Sequence, residues 1–264
     1  MALKQHSDDQ VRYDQQVENS RSYVLPFIEK TKPLGKGVNI LEIGTAEGGV
    51  LLPFLEKGCQ CVGVDLMQLR IDIANNFLSK EVAAGKVEFL CQNIYEDEFL
   101  ERFKNNFDVI ILKDVIEHVP EQEKFVPYLK NFLKSGGQIF FGFPPWYMPF
   151  GGHQQVCKNK LASVMPYYHI LPKFIYRGLL KMFKEGPYTI AELLEVKDTG
   201  ITIERFERIM RASGLKILNK QPYLINPIYK YKFGLQPRKQ WAPFNWIPYF
   251  RDFVTTCMYY TVGE

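Results

Sequence analysis

The sequence predicts a doubly wound α/β fold. Its mostly parallel sheet has seven strands, is closed by an antiparallel C-terminal strand, and carries an inserted helical cap. Three observations predict it. Five short apolar runs, at 38–43, 61–64, 86–91, 107–113 and 138–143, alternate with segments of helical periodicity, as parallel strands buried on both faces do between crossover helices. The first run ends in a turn of small residues, Glu42-Ile43-Gly44-Thr45-Ala46-Glu47-Gly48-Gly49, and the second ends in a carboxylate, Asp65. Two further apolar runs close the chain, 215–224 and 253–262.

In order along the chain, residues 1–10 read as a polar terminus. Val17, Val24, Leu25 and Ile28 recur at helical spacing within 11–30, a helix that also carries Tyr13 and Arg21. Strand one leads into the glycine turn, where small residues let backbone bend sharply and a ligand approach it. Val50, Leu51, Phe54 and Leu55 then form a helix; Pro53 is tolerable only in its first turn, so the helix should start close to Gly49 with its N–H groups facing the ligand. Strand two ends at Asp65, with Leu66 beyond it, and Ile73, Ala74, Phe77 and Leu78 give the next helix. Strand three ends in Gln92-Asn93-Ile94, and strand four runs into Lys113-Asp114-Val115-Ile116-Glu117-His118-Val119-Pro120. Pro120 opens a helix that Ser135-Gly136-Gly137 should end. Past strand five, the proline- and aromatic-rich loop 144–155 precedes a stretch that is helical in pieces. We read 146–200 as a cap inserted over the site, because an unstructured loop of that length is improbable. Thr202 is a helix N-cap, Gly214 the end of that helix, and strands six and seven follow. The domain plan is therefore a core over 1–145, a cap over 146–200, and the end of the sheet over 201–264 with an extension at 225–252.

A chain of 264 residues can hold one such domain with its insertion. A net charge of +4 without a basic run of five argues against nucleic acid. The five cysteines are odd in number, scattered and without zinc-ligand spacing, as reduced buried thiols are. The start is polar, unlike a signal peptide, and no apolar stretch reaches the roughly 18–20 residues that span a bilayer. The expectation is a cytoplasmic protein with no metal.

Strand, glycine turn, helix, strand and terminal carboxylate form a nucleoside-binding unit. Gly44-x-Ala46-x-x-Gly49 also fits a dinucleotide fingerprint loosely. A diphosphate would sit on the helix N-terminus, where Glu42 and Glu47 repel it. A cationic nucleoside is attracted instead.

Glu42-x-Gly44-x-Ala46-x-Gly48 with Asp65 resembles the class I S-adenosylmethionine (SAM)-dependent methyltransferases of small-molecule type, similar to the domains of ubiquinone and menaquinone biosynthesis. Ala46 stands where that family has its middle glycine. The resemblance runs to about residue 145 and implies a Rossmann-like fold with SAM as cofactor. It also implies a donor site made of Tyr13, Glu42, Gly44, Thr45, Ala46, Gly48, Asp65, Leu66, Asn93, Ile94, Lys113 and Asp114. Asp65 would hold the ribose hydroxyls, Leu66 would pack on adenine, and Asn93 with the Ile94 N–H would meet the adenine edge. Most relatives carry Asp at the Asn93 position, but an amide oxygen accepts the same bond.

The sulfonium methyl is already activated, so alignment is the main task of the protein. Alignment supplies about 7–11 kcal/mol, where a general base typically adds about 10²–10⁴-fold. His153, after two glycines, is the preferred base, with His118 the second candidate. The acceptor is a small molecule, methylated on oxygen or carbon rather than nitrogen, since no Asn-Pro-Pro-Tyr or Asp-Pro-Pro-Tyr follows strand four. The alternative is a SAM- or nucleoside-binding module without turnover, with a regulatory or membrane-associated role. The aromatics and cations of 238–250 can rest on a membrane interface; packing of the extension onto the cap is the preferred reading.

Overall fold

The computed structural model describes residues 8–264, so most of the polar terminus expected over 1–10 lies outside the described residues. The Asp8 carboxylate accepts from Val11 N–H at 3.2 Å and caps the helix Asp9–Asn19. That helix continues through a π-helical turn, Ser20–Val24, into Leu25–Glu29. Pro26 has no N–H to give to the preceding turn, and Ser20 Oγ donates to Val50 O at 2.7 Å, so the local ladder widens by one residue there.

One sheet organises the chain. Its strands are β1 (Asn39–Ile43), β2 (Gln60–Asp65), β3 (Val87–Cys91), β4 (Phe107–Lys113), β5 (Leu133–Phe143), β6 (Lys216–Ile225), β7 (Arg238–Lys239) and β8 (Cys257–Gly263). They lie in the order β3-β2-β1-β4-β5-β8-β6-β7. The first five are parallel, and β8 runs antiparallel between β5 and β6. The described residues thus form eight strands instead of the expected seven. The extra one, β7, is two charged residues paired to the edge of β6, too short and too polar to carry a strand pattern.

Two boundaries also differ. Strand β5 starts at Leu133, and Ser135-Gly136-Gly137 lie inside it at a register shift, with Gly136 at φ +71°. The preceding helix ends at Leu129, and a 3₁₀ turn, Lys130–Phe132, tucks Phe132 into the core. At the other end, Phe253 closes a helical turn, Phe250–Phe253, and β8 begins only at Cys257.

Alternation along the strands splits the core into two layers. Leu41, Ile43, Ile110, Leu112, Ile139, Phe141, Tyr260 and Val262 face the helices Asp97–Phe103, Gln122–Leu129 and Ile203–Ala212. Ile40, Val109, Ile111, Phe140 and Tyr259 face the other way, onto Leu25–Glu29, Leu52–Glu56 and Gln68–Phe77. Each such buried side chain contributes roughly 1.5–3 kcal/mol through the area it removes from water. Order reverses between β1 and β4, and in such sheets the crevice at that switch point, at the carboxyl ends of the strands, is where ligands bind.

Between β5 and the helix Ile203–Ala212 lie three helices, Lys160–Val164, Lys173–Met182 and Pro187–Thr199, around a small core of their own: Cys157, Tyr168, Tyr176, Leu180, Leu193 and Leu194. Trp146 N–H donates to Ile201 O at 2.8 Å and Thr199 Oγ1 to Glu117 O at 2.6 Å, so the two ends of the segment are tied to each other and its last helix to the 3₁₀ turn Ile116–His118 after β4. The stretch between β6 and β8 does not rest mainly on these helices, as the sequence suggested. Its helix Tyr229–Phe233 lies on the N-terminal helix, with Tyr231 OH donating to Glu18 O at 3.2 Å. Its end is held by Arg251 against Glu204 and Glu207 of the core helix (2.9 and 3.3 Å).

Candidate active site

The crevice begins at the bend after β1. Gly44 and Thr45 N–H groups both donate to Val64 O, at 2.8 and 3.0 Å, which folds the turn back onto β2. A Cβ on Gly44, at φ +71°, would lie 2.6 Å from Val115 Cγ2, so only glycine fits. Ala46 sits at φ 48° where the family has glycine, a strained backbone costing of order 1 kcal/mol. Two bonds from one carboxylate hold the bend: Asp65 Oδ2 accepts from Ala46 N–H at 3.1 Å and Oδ1 from Met67 N–H at 3.0 Å. Each oxygen keeps a lone pair for a ligand hydroxyl. Leu66, next to it, is 73% exposed.

Glu42, at the tip of β1, is buried and accepts from Thr45 Oγ1 at 2.7 Å. Burial pushes its carboxyl up to about 8, against the Thr45 hydrogen bond and the Lys113 charge, which favour ionisation. Glu47 behaves differently. It is buried too, but it accepts from Arg12 Nε and Gln16 Nε2, both at 2.7 Å, and pairs with Arg70. The repulsion of a diphosphate that the sequence led us to expect is therefore offset at Glu47. Glu47 is paired with two guanidinium groups, and of these two acids Glu42 is the one left to face a cation once it ionises. Two neighbouring expectations also change. The helix after the bend starts at Leu52, and Gly49 N–H is taken by Gln16 Oε1 at 3.0 Å instead of facing a ligand. Tyr13 is engaged in packing: its ring stacks on Phe77 with centroids 4.4 Å apart, while Arg12 and Gln16 take the face towards the bend.

At the next strand tip Asn93 Oδ1 accepts from Tyr95 N–H and Asn93 N–H donates to Glu96, both at 3.1 Å, making a tight turn. Ile94 is buried, its carbonyl accepting from Tyr128 OH at 3.0 Å. At the tip of β4 the buried Lys113 Nζ lies 2.5 Å from Asp114 Oδ2. Burial pulls the lysine down, but Asp114 outweighs it and holds the ammonium above its usual range; burial pushes Asp114 up, but Lys113 holds it below.

A cavity of about 230 Å³ opens beside this pair, lined by Asp114, Glu117, His153, Tyr229, Lys232 and Phe233 among others. His118 and His153 meet here with ring centroids 4.9 Å apart. His153, at φ 56°, has its imidazole pushed down to about 3, by burial first and by His118 second. Burial also lowers His118, against the pull of Asp114. Glu117 is the residue that sequence reasoning missed. Burial, reinforced by Asp114, pushes its carboxyl well above the usual range, and neither oxygen has a hydrogen-bond partner among the described residues. Its ligand atoms and those of the two histidines lie within 4.8 Å of one another. This set of two imidazoles and a carboxylate is of a kind that divalent cations use. Spacing along the chain gave no hint of it, because His153 arrives from 35 residues away. The one local signal was a charged Glu117 between the apolar Ile116 and Val119.

The remaining histidine among the described residues, His169, is structural: its ring bonds Trp146 O at 2.9 Å and Gln154 at 3.2 Å, and Trp146 packs edge-on against it. Trp146 is thereby fixed against the inserted segment, with Lys197 Nζ 5.3 Å from its ring centroid.

Residues 13–220 match the family described as a methyltransferase domain. A ubiquinone biosynthesis O-methyltransferase of Coxiella burnetii is 32% identical over 118 residues, 44% of this chain and 47% of that protein. One from Rhizobium etli is 24% identical over 200 residues, covering 76% of this chain and 68% of the relative. The chain thus spans about half the length of the curated relatives it matches first. Among solved structures, a putative sarcosine dimethylglycine methyltransferase from Galdieria sulphuraria superposes with a TM-score of 0.58 at 13% identity, over 93% of this chain and 85% of that one. A geranyl diphosphate C-methyltransferase from Streptomyces coelicolor gives 0.56 at 13%, over 90% and 78%. These likenesses show the fold.

Proposed function

We propose that this chain, which belongs to the methyltransferase-domain family, carries the methyl group of SAM to a hydroxyl of a small-molecule acceptor. The observation that carries the reading is the arrangement of the two acidic strand tips about the bend at Gly44. Asp65 is braced by two backbone N–H groups with lone pairs to spare, and Glu42 is a buried acid ready to ionise beside a cation. In this reading Asp65 holds the vicinal ribose hydroxyls and Glu42 faces the methionine ammonium. Leu66 covers one face of adenine, and Asn93 with Ile94 meets its edge. Gly44, Thr45, Ala46 and Gly48 let the donor lie against backbone, and Lys113 with Asp114 forms the wall next to the sulfur.

The acceptor occupies the cavity under the segment 146–200, which acts as its cap over a core formed by 1–145 and 201–264. A hydroxyl attacks the methyl carbon as the carbon–sulfur bond breaks, and the sulfur leaves as neutral thioether. The oxygen then carries the positive charge and is strongly acidic. A neutral imidazole depressed to about 3 is a poor base for a free hydroxyl but sufficient for that oxonium, so His153 takes the proton, with His118 alongside to share it. Oxygen as the methylated atom is supported by the ubiquinone O-methyltransferase relatives.

The experiment is transfer of isotopically labelled methyl from SAM by the full chain to a panel of hydroxylated, carbon-acid and amine acceptors, with products identified by mass spectrometry. Labelled ethers formed by the parent and reduced at least about 100-fold in His153→Asn support the reading. Label on carbon or nitrogen, or an unaffected variant, overturns it.

A further inference from the structure

We propose that the helix Lys173–Met182, together with the aromatic arm 241–250, docks this protein on an anionic lipid bilayer. The helix is apolar on two faces. Tyr176 and Leu180 point inward to the small core of the inserted segment. On the opposite side Phe174 is 77% and Met182 64% exposed, with Ile175 and the preceding Leu171 also open to water. A helix that hides one apolar face and presents another has a second apolar environment to meet.

Charge says which. From 158 to 184 the chain carries Lys158, Lys160, Lys173, Arg177, Lys181 and Lys184 and no acidic residue. Lys173, Arg177 and Lys181 form a row at i, i+4, i+8 along the flank of the outward stripe. Lys173 is paired with Asp198 at 2.5 Å, which leaves Arg177 and Lys181 as the cations of that row facing the surroundings. An exposed apolar stripe beside a cationic row is the composition of helices lying in the headgroup region of anionic membranes. A second copy of this chain fits less well, because it would set the same cations against one another.

The arm reaches the inserted segment that carries this helix. Ring contacts run from Trp241 to Phe244, Phe250, Phe253 and then Tyr167 of the inserted segment, with centroids 6.0 to 6.5 Å apart. Trp246 is 78% exposed, with Trp241, Ile247 and Tyr249 also open, and Arg238 and Lys239 on the edge strand add two cations. Tryptophan and tyrosine rings with nearby cations suit the boundary between headgroup and hydrocarbon. None of the helices is long and apolar enough to cross a membrane among the described residues, so the contact is a resting one.

The test is co-sedimentation of the full chain with phosphatidylcholine vesicles, with or without roughly 30 mol % phosphatidylglycerol. Quenching of the native tryptophans by brominated lipid is read alongside it. The proposal expects binding to the anionic vesicles only, weakened by high salt, and quenching that reports Trp246 and Trp241 at the interface. Replacing Arg177 and Lys181 by Gln should lower partitioning roughly 25-fold, at about fivefold per cation. Phe174→Asp should weaken binding while melting temperature and binding of S-adenosylhomocysteine stay as in the parent. Equal binding to neutral and anionic vesicles overturns the proposal. So does unquenched tryptophan in the parent protein, or a stable dimer that Phe174→Asp disperses. The parent's lipid preference and quenching decide the matter even if a variant fails to fold.

Discussion

Binding of the methyl donor should release a proton, and the proton should come from Glu42. Burial holds its carboxyl at about 8, so at pH 7 about nine-tenths of the ligand-free protein carries a neutral acid there. A cation brought next to a carboxyl lowers its pKa by about 1–3 units. If the donor's ammonium brings it down two units, to about 6, the protonated fraction falls to about one-tenth, and about 0.8 proton leaves per donor bound. At pH 9 the acid is already mostly ionised and the release shrinks to about 0.1. Isothermal titration of SAM into the full chain, in buffers of different ionisation enthalpy, reads this number as a slope. The same titration on Glu42→Gln isolates the residue, since protons exchanged by the ligand's own amine cancel between the two proteins. A slope difference near zero at pH 7 would refute the argument that a buried neutral acid turns into the counter-ion of the donor.

Other consequences follow from the same geometry. Asp65→Ala removes the ribose partner and the brace on Ala46 and Met67, and should weaken SAM binding by about 10–100-fold in a titration, with the chain still folded by circular dichroism. Glu47→Gln leaves Arg12 and Arg70 facing a neutral amide and should cost about 3 kcal/mol in denaturant unfolding. Ala46→Gly relieves a positive φ and should raise stability by about 0.5–1 kcal/mol while SAM binding stays unchanged. His153 is depressed from 6.5 to about 3 when folded, so the stability it contributes is complete above pH 6.5 and is lost as pH falls towards 3. Against His153→Asn, which tolerates the same backbone, parent stability should fall by up to about 1.4 kcal/mol per pH unit across that window. Over the same acidic range kcat/KM should show no break near 6.5 from this residue, because the imidazole stays neutral.

What the sequence made legible is local. The runs that became β1 to β4, the bend with its positive-φ glycines, the carboxylate at the end of β2 and the Thr202 cap are all written in five to ten consecutive residues. Thr202 does accept from Arg205 N–H, at 3.1 Å. Features built by distant residues could not be read that way. Glu47 looked like a free negative charge until the fold brought Arg12 from 35 residues before it and Arg70 from 23 after. Glu117 drew no role from the sequence, because only the fold sets His153 beside it. The early start of β5 was hidden because Ser135-Gly136-Gly137 has the composition of a helix end, and a bulge in a strand uses the same residues. Tyr13 entered the donor site through the resemblance; in the fold its ring stacks on Phe77, and Arg12 and Gln16, which no motif marks, bond at the bend.

The most direct test of the account is a crystal structure of the full chain with S-adenosylhomocysteine. The account predicts both ribose hydroxyls on the Asp65 carboxylate, the amino acid end beside Glu42 and adenine between Leu66 and Asn93. A nucleoside seated elsewhere, or a ribose that leaves Asp65 bonded only to Ala46 and Met67, would contradict it.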